Sequence, residues 1–392
     1  MRAVTWQGPR DVRVETVADP QIQQTTDAVI KVTSSGICGS DLHLYEVLAP
    51  FMAAGDILGH EPMGIVEEVG SEVTSIKPGD RVVIPFQISC GSCFMCDRGL
   101  NTQCETTQMT EKGMGAPLFG YTELYGSVPG AQAEYLRVPQ AHYGPIVVPE
   151  GPPDDRFVYL SDVLPTAYQA IEYAGTRAGD SLVVLGLGPI GDMACRLAHH
   201  RGARVIGVDP VPERRARLAA RGIETLDPAE VDSVGETVHE LTSGRGADAT
   251  VDAVGMEAHG SRSVELVHKV VGLLPDSVAK PMMLKAGVDR LAALHDAIET
   301  TRRGGTVSIS GVYGGAADPM PLLRMFDKQL TFRMGQANVK RWVDDLLPLL
   351  GDEDPLGVED FATHHISLDE APDYYEKFQK KTDGVVKAVI RP

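Results

Sequence analysis

Cys90, Cys93, Cys96 and Cys104 fall inside the short string CGSCFMCDRGLNTQC, and they are four of the six cysteines in the chain. CxxC spacing aims both sulfurs inward, and a fourth thiolate after a short loop completes a tetrahedron around one ion. Four sulfurs leave no position for a reactant. The set therefore reads as structural zinc in a lobe over 88–106, with disulfides or an iron-sulfur cluster as the competing uses of the same spacing. Chemistry has to be sought elsewhere. ICGSDLH carries Cys38, Ser40, Asp41 and His43 on one turn-like stretch, and GHEPMGIVEEVG carries His60 and Glu61 just before a strand.

A third motif suits a nucleotide. Gly186, Leu187, Gly188, Pro189, Ile190 and Gly191 form GxGxxG directly after the strand-like SLVVL and before a helical stretch. Such glycines permit a tight turn, close approach of the backbone to a pyrophosphate, and close packing of helix on strand. A lone GxGxxG also suits an ordinary turn, but here strand, helix and a following acid are all in place. Asp209 closes the next strand, RVIGVD, eighteen positions after Gly191. Its carboxylate suits ribose hydroxyls and would repel a 2'-phosphate, which favours NAD over NADP. Arg214 on the next helix works against that preference, because it can reach a phosphate.

The elements that must position these groups divide the chain in two. Up to about residue 160, short β-rich runs (AVIKVTS, GIVEEVG, KPGDRVVIP, AEYLRVP) are broken by Gly and Pro turns, as in a barrel-like domain. From Asp180 apolar strands alternate with helices, which predicts a parallel sheet covered on both faces. Helices around Val339–Leu350 and Asp369–Lys380 and a final strand, VVKAVI, are expected to return to the first domain. The fold class expected is α/β, with residues 1–163 and 336–392 as one domain and 164–335 as the other.

At 392 residues, with 43% hydrophobic and 23% charged residues, the chain has room for two cores. Asp and Glu outnumber Lys and Arg by 54 to 36, a formal charge of -18 that repels phosphate backbones and argues against nucleic acid as a partner. No stretch has the length and apolarity of a signal peptide or a membrane span, so the expectation is a cytoplasmic protein without a membrane partner.

In order and spacing, GICGSDLH, GHEPMGIVEEVG, the four-cysteine lobe and GLGPIG together resemble the medium-chain zinc-dependent alcohol dehydrogenases over essentially the full length. The resemblance implies a GroES-like catalytic domain, a Rossmann domain binding NAD, and a catalytic zinc in the cleft between them. It makes Cys38 and His60 zinc ligands and Glu61 an acid beside the metal. Asp162 in LSDVLPTAYQA stands where many relatives carry Cys or Glu. That string, with GAQAEYLRVP, resembles the glutathione-independent formaldehyde dehydrogenase and formaldehyde dismutase branch, which uses an aspartate there. The competing role for Asp162 is a helix cap ahead of VLPTAYQAI.

By the same resemblance Ser40 takes the substrate proton and passes it, through the cofactor ribose, to His43 near solvent, while Asp41 fixes the tautomer of His60. Thr166 is placed near the nicotinamide, Val254 and Val312 at the cofactor edge, and Lys387 at the pyrophosphate. Cys195 reads as a small buried hydrophobe, and His199, His200, His364 and His365 as surface or packing residues.

The expected reaction is hydride transfer between NAD and an alcohol or aldehyde hydrate, with formaldehyde as a candidate substrate. A dehydrogenase for a larger secondary alcohol or polyol and an aldehyde dismutase with tightly held NAD are the alternatives. A metal-sensing binding protein would require loss of a ligand or relay residue, and none is missing. Relatives suggest a homodimer or homotetramer. Between VDAVG and GTVSISG lie about fifty residues, more than one crossover helix needs. The segment 256–287 therefore reads as an insertion; the resemblance to the formaldehyde-active branch, where an insertion near this point covers the adenine side of the cofactor, implies the same role here.

Overall fold

The computed structural model describes residues 1–255, 291–313 and 320–392; the insertion at 256–287 lies outside them. The chain forms two units, Met1–Pro165 with Ala337–Pro392, and Thr166–Gln336.

In the first unit β1 (Arg2–Gly8) and β2 (Asp11–Thr16) make an antiparallel ribbon that hydropathy did not single out. The larger sheet uses β3 (Ala28–Ile37), β4 (Pro62–Val69), β5 (Arg81–Val83), β6 (Tyr135–Val138) and β7 (Ile146–Val147). β3 is buried almost throughout because it has neighbours on both sides. Ile30, Val32, Val66, Val82, Leu136 and Val138 from these strands share one core with Ile84, just past β5.

The second unit is a parallel six-stranded sheet built from β8 (Ser181–Leu185), β9 (Arg204–Val208), β10 (Glu224–Leu226), β11 (Ala247–Asp252), β12 (Thr301–Ile309) and β13 (Thr331–Met334). Its order is β10-β9-β8-β11-β12-β13. Leu182 to Leu185 are all buried, as a central parallel strand covered on both faces requires. Helices Pro189–His200 and Pro212–Ala219 follow β8 and β9.

The return segment supplies β14 (His364–Ser367) and β15 (Ala388–Arg391) to the first unit. β15 lies inside the seven-stranded sheet, parallel to β14 on one side and antiparallel to β3 on the other. That register sets Ala388 opposite Ile37 and Val389 opposite Gly36, which brings Lys387 to the end of β3 where the helix Gly39–Tyr45 begins.

Candidate metal and cofactor sites

Cys38 sits at the junction between β3 and the helix Gly39–Tyr45, His60 and Glu61 immediately precede β4, and Asp162 precedes the helix Val163–Ala174. Their donor atoms lie within 4.8 Å of one another, and all four residues are buried. Asp162 Oδ2 is 3.4 Å from Cys38 Sγ and 3.5 Å from His60 Nε2. Asp162 thus holds the position of a helix cap while its carboxylate oxygen belongs to the cluster. Ser40 Oγ lies 3.2 Å from His60 Nε2.

These groups crowd protons and charge. Burial, with Glu61 and Asp162 close by, pushes the Cys38 thiol up to about 12. Burial disfavours the charged imidazole of His60, but Asp41 and Asp162 more than reverse this and hold it well above its ordinary value. A thiol, an imidazole and a carboxylate converging in a dry site fit a zinc ion, which would displace both protons.

A hydrogen-bonded chain supports the cluster from behind. Asp41 Oδ2 accepts from the Cys38 amide at 2.9 Å, and Asp41 Oδ1 lies 3.1 Å from His60 Nδ1. Gln132 Nε2 donates to Asp41 Oδ2 at 3.2 Å, and the Tyr375 hydroxyl donates to Gln132 Oε1 at 2.8 Å. All are buried. Sequence reasoning reached Asp41 but missed Gln132 and Tyr375. Gln132 lies in GAQAEYLRVP, yet nothing in the spacing of that string says that its amide reaches residue 41. The missed Phe86 and Tyr121 meet the His60 ring edge-on, with ring centroids 6.4 and 6.3 Å from its own, so aromatic walls flank the cluster.

Two expected roles meet a different environment. His43 is only 7% exposed, because its side chain emerges from a helix whose last five residues are all buried. Lys387 is fully buried and its ammonium donates to Glu61 Oε2 and to the Ile37 carbonyl, the latter at 3.1 Å. It was expected at a pyrophosphate; the β15 register instead commits it to Glu61.

The four cysteines at 90, 93, 96 and 104 also bring their sulfurs within 4.8 Å of one another, and none forms a disulfide. Amides of Cys90 and Glu105 donate to Cys104 Sγ and Cys93 Sγ at 3.4 and 3.3 Å, and Thr106 Oγ1 donates to Cys90 Sγ at 3.1 Å. Burial raises the Cys90 thiol, but bonds from Thr106, Ser92 and Cys104 bring it down to about 6, while burial drives Cys96 up to about 12. Donors aimed at sulfur stabilise thiolates, as a closed zinc shell needs. Asn338 Oδ1 accepts from both the amide and the hydroxyl of Thr102, at 3.0 and 3.1 Å, and so ties this lobe to the return segment.

In the second unit the three glycines differ in what constrains them. Gly186 has φ +83, and a Cβ on it would lie 2.6 Å from Val254 Cγ2; a Cβ on Gly191 would lie 1.7 Å from the Gly186 carbonyl. At Gly188 the nearest atom to such a Cβ is Arg214 Nη1, at 3.7 Å. Internal packing thus explains the first and third glycines, and leaves at the second an open cradle that fits a pyrophosphate. Pro189 and Ile190 open the helix behind it.

Asp209 Oδ2 accepts from the Leu187 amide at 2.7 Å, Oδ1 accepts from Val211 at 2.8 Å, and Arg214 Nη1 is 3.5 Å away. Oδ2 is thus shared by Leu187 and Arg214, while Oδ1, with one partner, keeps a lone pair that suits a ribose hydroxyl. Val312 is 44% exposed, and its backbone packs against Gly255, next to Val254. Thr166 is partly buried on the helix Val163–Ala174. Cys195 is fully buried, while His199 and His200 are exposed.

Two family models match the chain, an alcohol dehydrogenase GroES-like domain over residues 24–149 and a zinc-binding dehydrogenase over residues 189–273. A zinc-type alcohol dehydrogenase-like protein of Bacillus subtilis strain 168, AdhB, is 39% identical over 100% of both chains. The chain belongs to the medium-chain zinc-dependent alcohol dehydrogenase family. Formaldehyde dismutase of Pseudomonas putida is 31% identical over 100% of this chain and 97% of its own. Among solved structures, alcohol dehydrogenase TADH from Thermus sp. ATN1 superposes with a TM-score of 0.81 at 34% identity, over 100% of this chain and 99% of the other. As a member of this family the chain is an oxidoreductase enzyme that uses zinc and a nicotinamide cofactor. Among the described residues no helix is long and apolar enough to cross a membrane.

Proposed function

We propose that this enzyme transfers hydride between NAD and a small alcohol or aldehyde hydrate, with formaldehyde as the first candidate. The observation that carries the reading is the convergence of Cys38, His60 and Asp162 in a buried cluster with Ser40 Oγ beside it. Zinc, when bound, supplies a Lewis acid that acidifies a substrate hydroxyl, and NAD supplies the hydride acceptor. Cys38, His60 and Asp162 hold the metal, Asp41 orients His60, and Ser40 Oγ takes the substrate proton towards the buried His43. Phe86 and Tyr121 exclude water from the ligand side. Gly186, Gly188 and Gly191 shape the cofactor loop, which Asp209 braces through Leu187.

The small-aldehyde reading is supported by Asp162 as third donor and by the likeness to formaldehyde dismutase and formaldehyde dehydrogenase relatives. A panel of alcohols and aldehydes, run with and without added NAD, tests it. Turnover of formaldehyde with added NAD, producing formate and NADH, supports the dehydrogenase. Equal yields of acid and alcohol without added NAD support dismutation, and activity restricted to larger secondary alcohols overturns the formaldehyde reading.

Self-association as a homodimer or homotetramer is supported by the exposed Leu322, Leu323 and Phe326 leading into the edge strand β13, where Met334 is also exposed. Sedimentation of the purified protein as a monomer at micromolar concentration would sink it. The compartment proposed is the cytoplasm, in keeping with six cysteines of which none is paired in the structure.

A further inference from the structure

Gly36, Glu61 and Lys387 form a buried trio that hydride transfer as described above leaves without a task. Glu61 is 2% exposed and Lys387 is fully buried. One carboxylate oxygen, Oε2, accepts from the Lys387 ammonium. The other, Oε1, is buried with no hydrogen-bond partner among the described residues, and a Glu61 oxygen is among the donors that share the 4.8 Å cluster with Cys38, His60 and Asp162. Gly36 makes the space for this pairing. A Cβ at position 36 would lie 1.8 Å from Glu61 Oε2 and 2.9 Å from Lys387 Nζ, although the backbone there is ordinary strand.

We propose that Gly36 and Lys387 form a berth that holds the Glu61 carboxylate to one side, so that Lys387, as a positioning residue, sets the number of protein ligands on the metal. The inference rests on the reading that Cys38, His60 and Asp162 hold the zinc. Its physical basis is charge. The Cys38 thiolate and the Asp162 carboxylate already balance a dication, and Lys387 balances Glu61. With Lys387 neutralised, Glu61 becomes an unpaired buried anion, a strongly unfavourable state, and the nearest available cation is the metal. With a side chain at position 36, Oε2 loses its place beside the ammonium. Both changes turn Glu61 into a fourth protein donor and close the position that an added ligand would otherwise take.

The test uses cobalt-substituted and zinc-loaded full-length protein, with imidazole as the probe of an open position. In wild type, imidazole shifts the visible spectrum of the cobalt that is lost in Cys38→Ser. In Lys387→Met that shift is expected to disappear, and zinc release from the same site to a chelator to slow about tenfold. Gly36→Ala is expected to move both readouts the same way. Lys387→Arg keeps wild-type behaviour, and Lys387→Met with Glu61→Gln restores both readouts. A persistent imidazole shift with unchanged or faster zinc release in Lys387→Met, or a double variant identical to the single one, overturns the proposal. If Cys38→Ser leaves metal content unchanged, the zinc-ligand reading itself fails; if Cys38→Ser loses metal while Lys387→Met and Gly36→Ala behave as wild type, only the berth fails.

Discussion

Cys90, Cys93, Cys96 and Cys104 come from fifteen consecutive residues, whereas Cys38 and Asp162 approach to 3.4 Å across 124 positions of chain. The first cluster is four sulfurs wrapped by their own loop amides. The second mixes a thiol, an imidazole and a carboxylate, each held by a different junction between elements. A local loop can close its shell completely, because consecutive residues adjust to the ion together. A site assembled from separate junctions is braced from outside, through Asp41, Gln132 and Tyr375; with Glu61 paired to Lys387, the proposed ligand set of Cys38, His60 and Asp162 would leave a fourth position for substrate. In this molecule distance along the chain and chemical openness go together.

The sharpest way to break this contrast is to remove one donor from each cluster. Asp162→Ala should lower kcat/KM roughly 10³-fold and leave one zinc per chain in metal analysis. Retained activity, or two zinc ions, would remove Asp162 from the ligand set. Cys96→Ser should act on the fold, lowering the thermal midpoint by about 10 °C while kcat per folded molecule changes little. A selective loss of kcat with unchanged melting would mean that the four-sulfur lobe takes part in turnover.

Proton linkage separates the mixed cluster further. Because Cys38 and His60 both hold protons through neutrality when no metal is bound, zinc binding there must expel them. Affinity should therefore rise with pH between about 6 and 9, by tenfold or more per unit, in chelator competition; a flat profile contradicts the assignment. Ser40→Ala should lower kcat by about 10²-fold and change the pH–rate profile while zinc content is kept. The smallest effect is expected behind the ligands, where Gln132→Leu should speed zinc release roughly tenfold without altering the zinc of the four-cysteine lobe.

How much could be read beforehand follows the same division. The cysteine lobe and GLGPIG are written within one loop and one strand-turn-helix, so spacing alone carries their chemistry. The parallel sheet showed itself as continuous apolar runs at SLVVL and RVIGV, whereas the β1–β2 ribbon, with β2 largely exposed, left no comparable pattern. Cys38, His60 and Asp162 were legible only through the resemblance, since no local rule brings residue 162 to residue 38. Lys387 shows the limit most clearly. Its neighbourhood is decided by the register of β15 on β3, which cross-strand packing sets and the string VVKAVI does not reveal. His43 was expected near solvent through the resemblance, as the end of a proton relay, but its short helix leaves it buried.

The insertion of β15 between β14 and β3 has a consequence for the order in which the molecule comes into being. During synthesis the ligands up to residue 162 emerge long before residues 364–391, and the intervening unit can fold first. Until β15 arrives, Ser35–Ile37 of β3 have no strand on that edge and Glu61 lacks the Lys387 ammonium. Thr102 likewise waits for Asn338. The mixed metal cluster is thus completed late, after most of the chain has left the ribosome, and its maturation is tied to the docking of one four-residue strand.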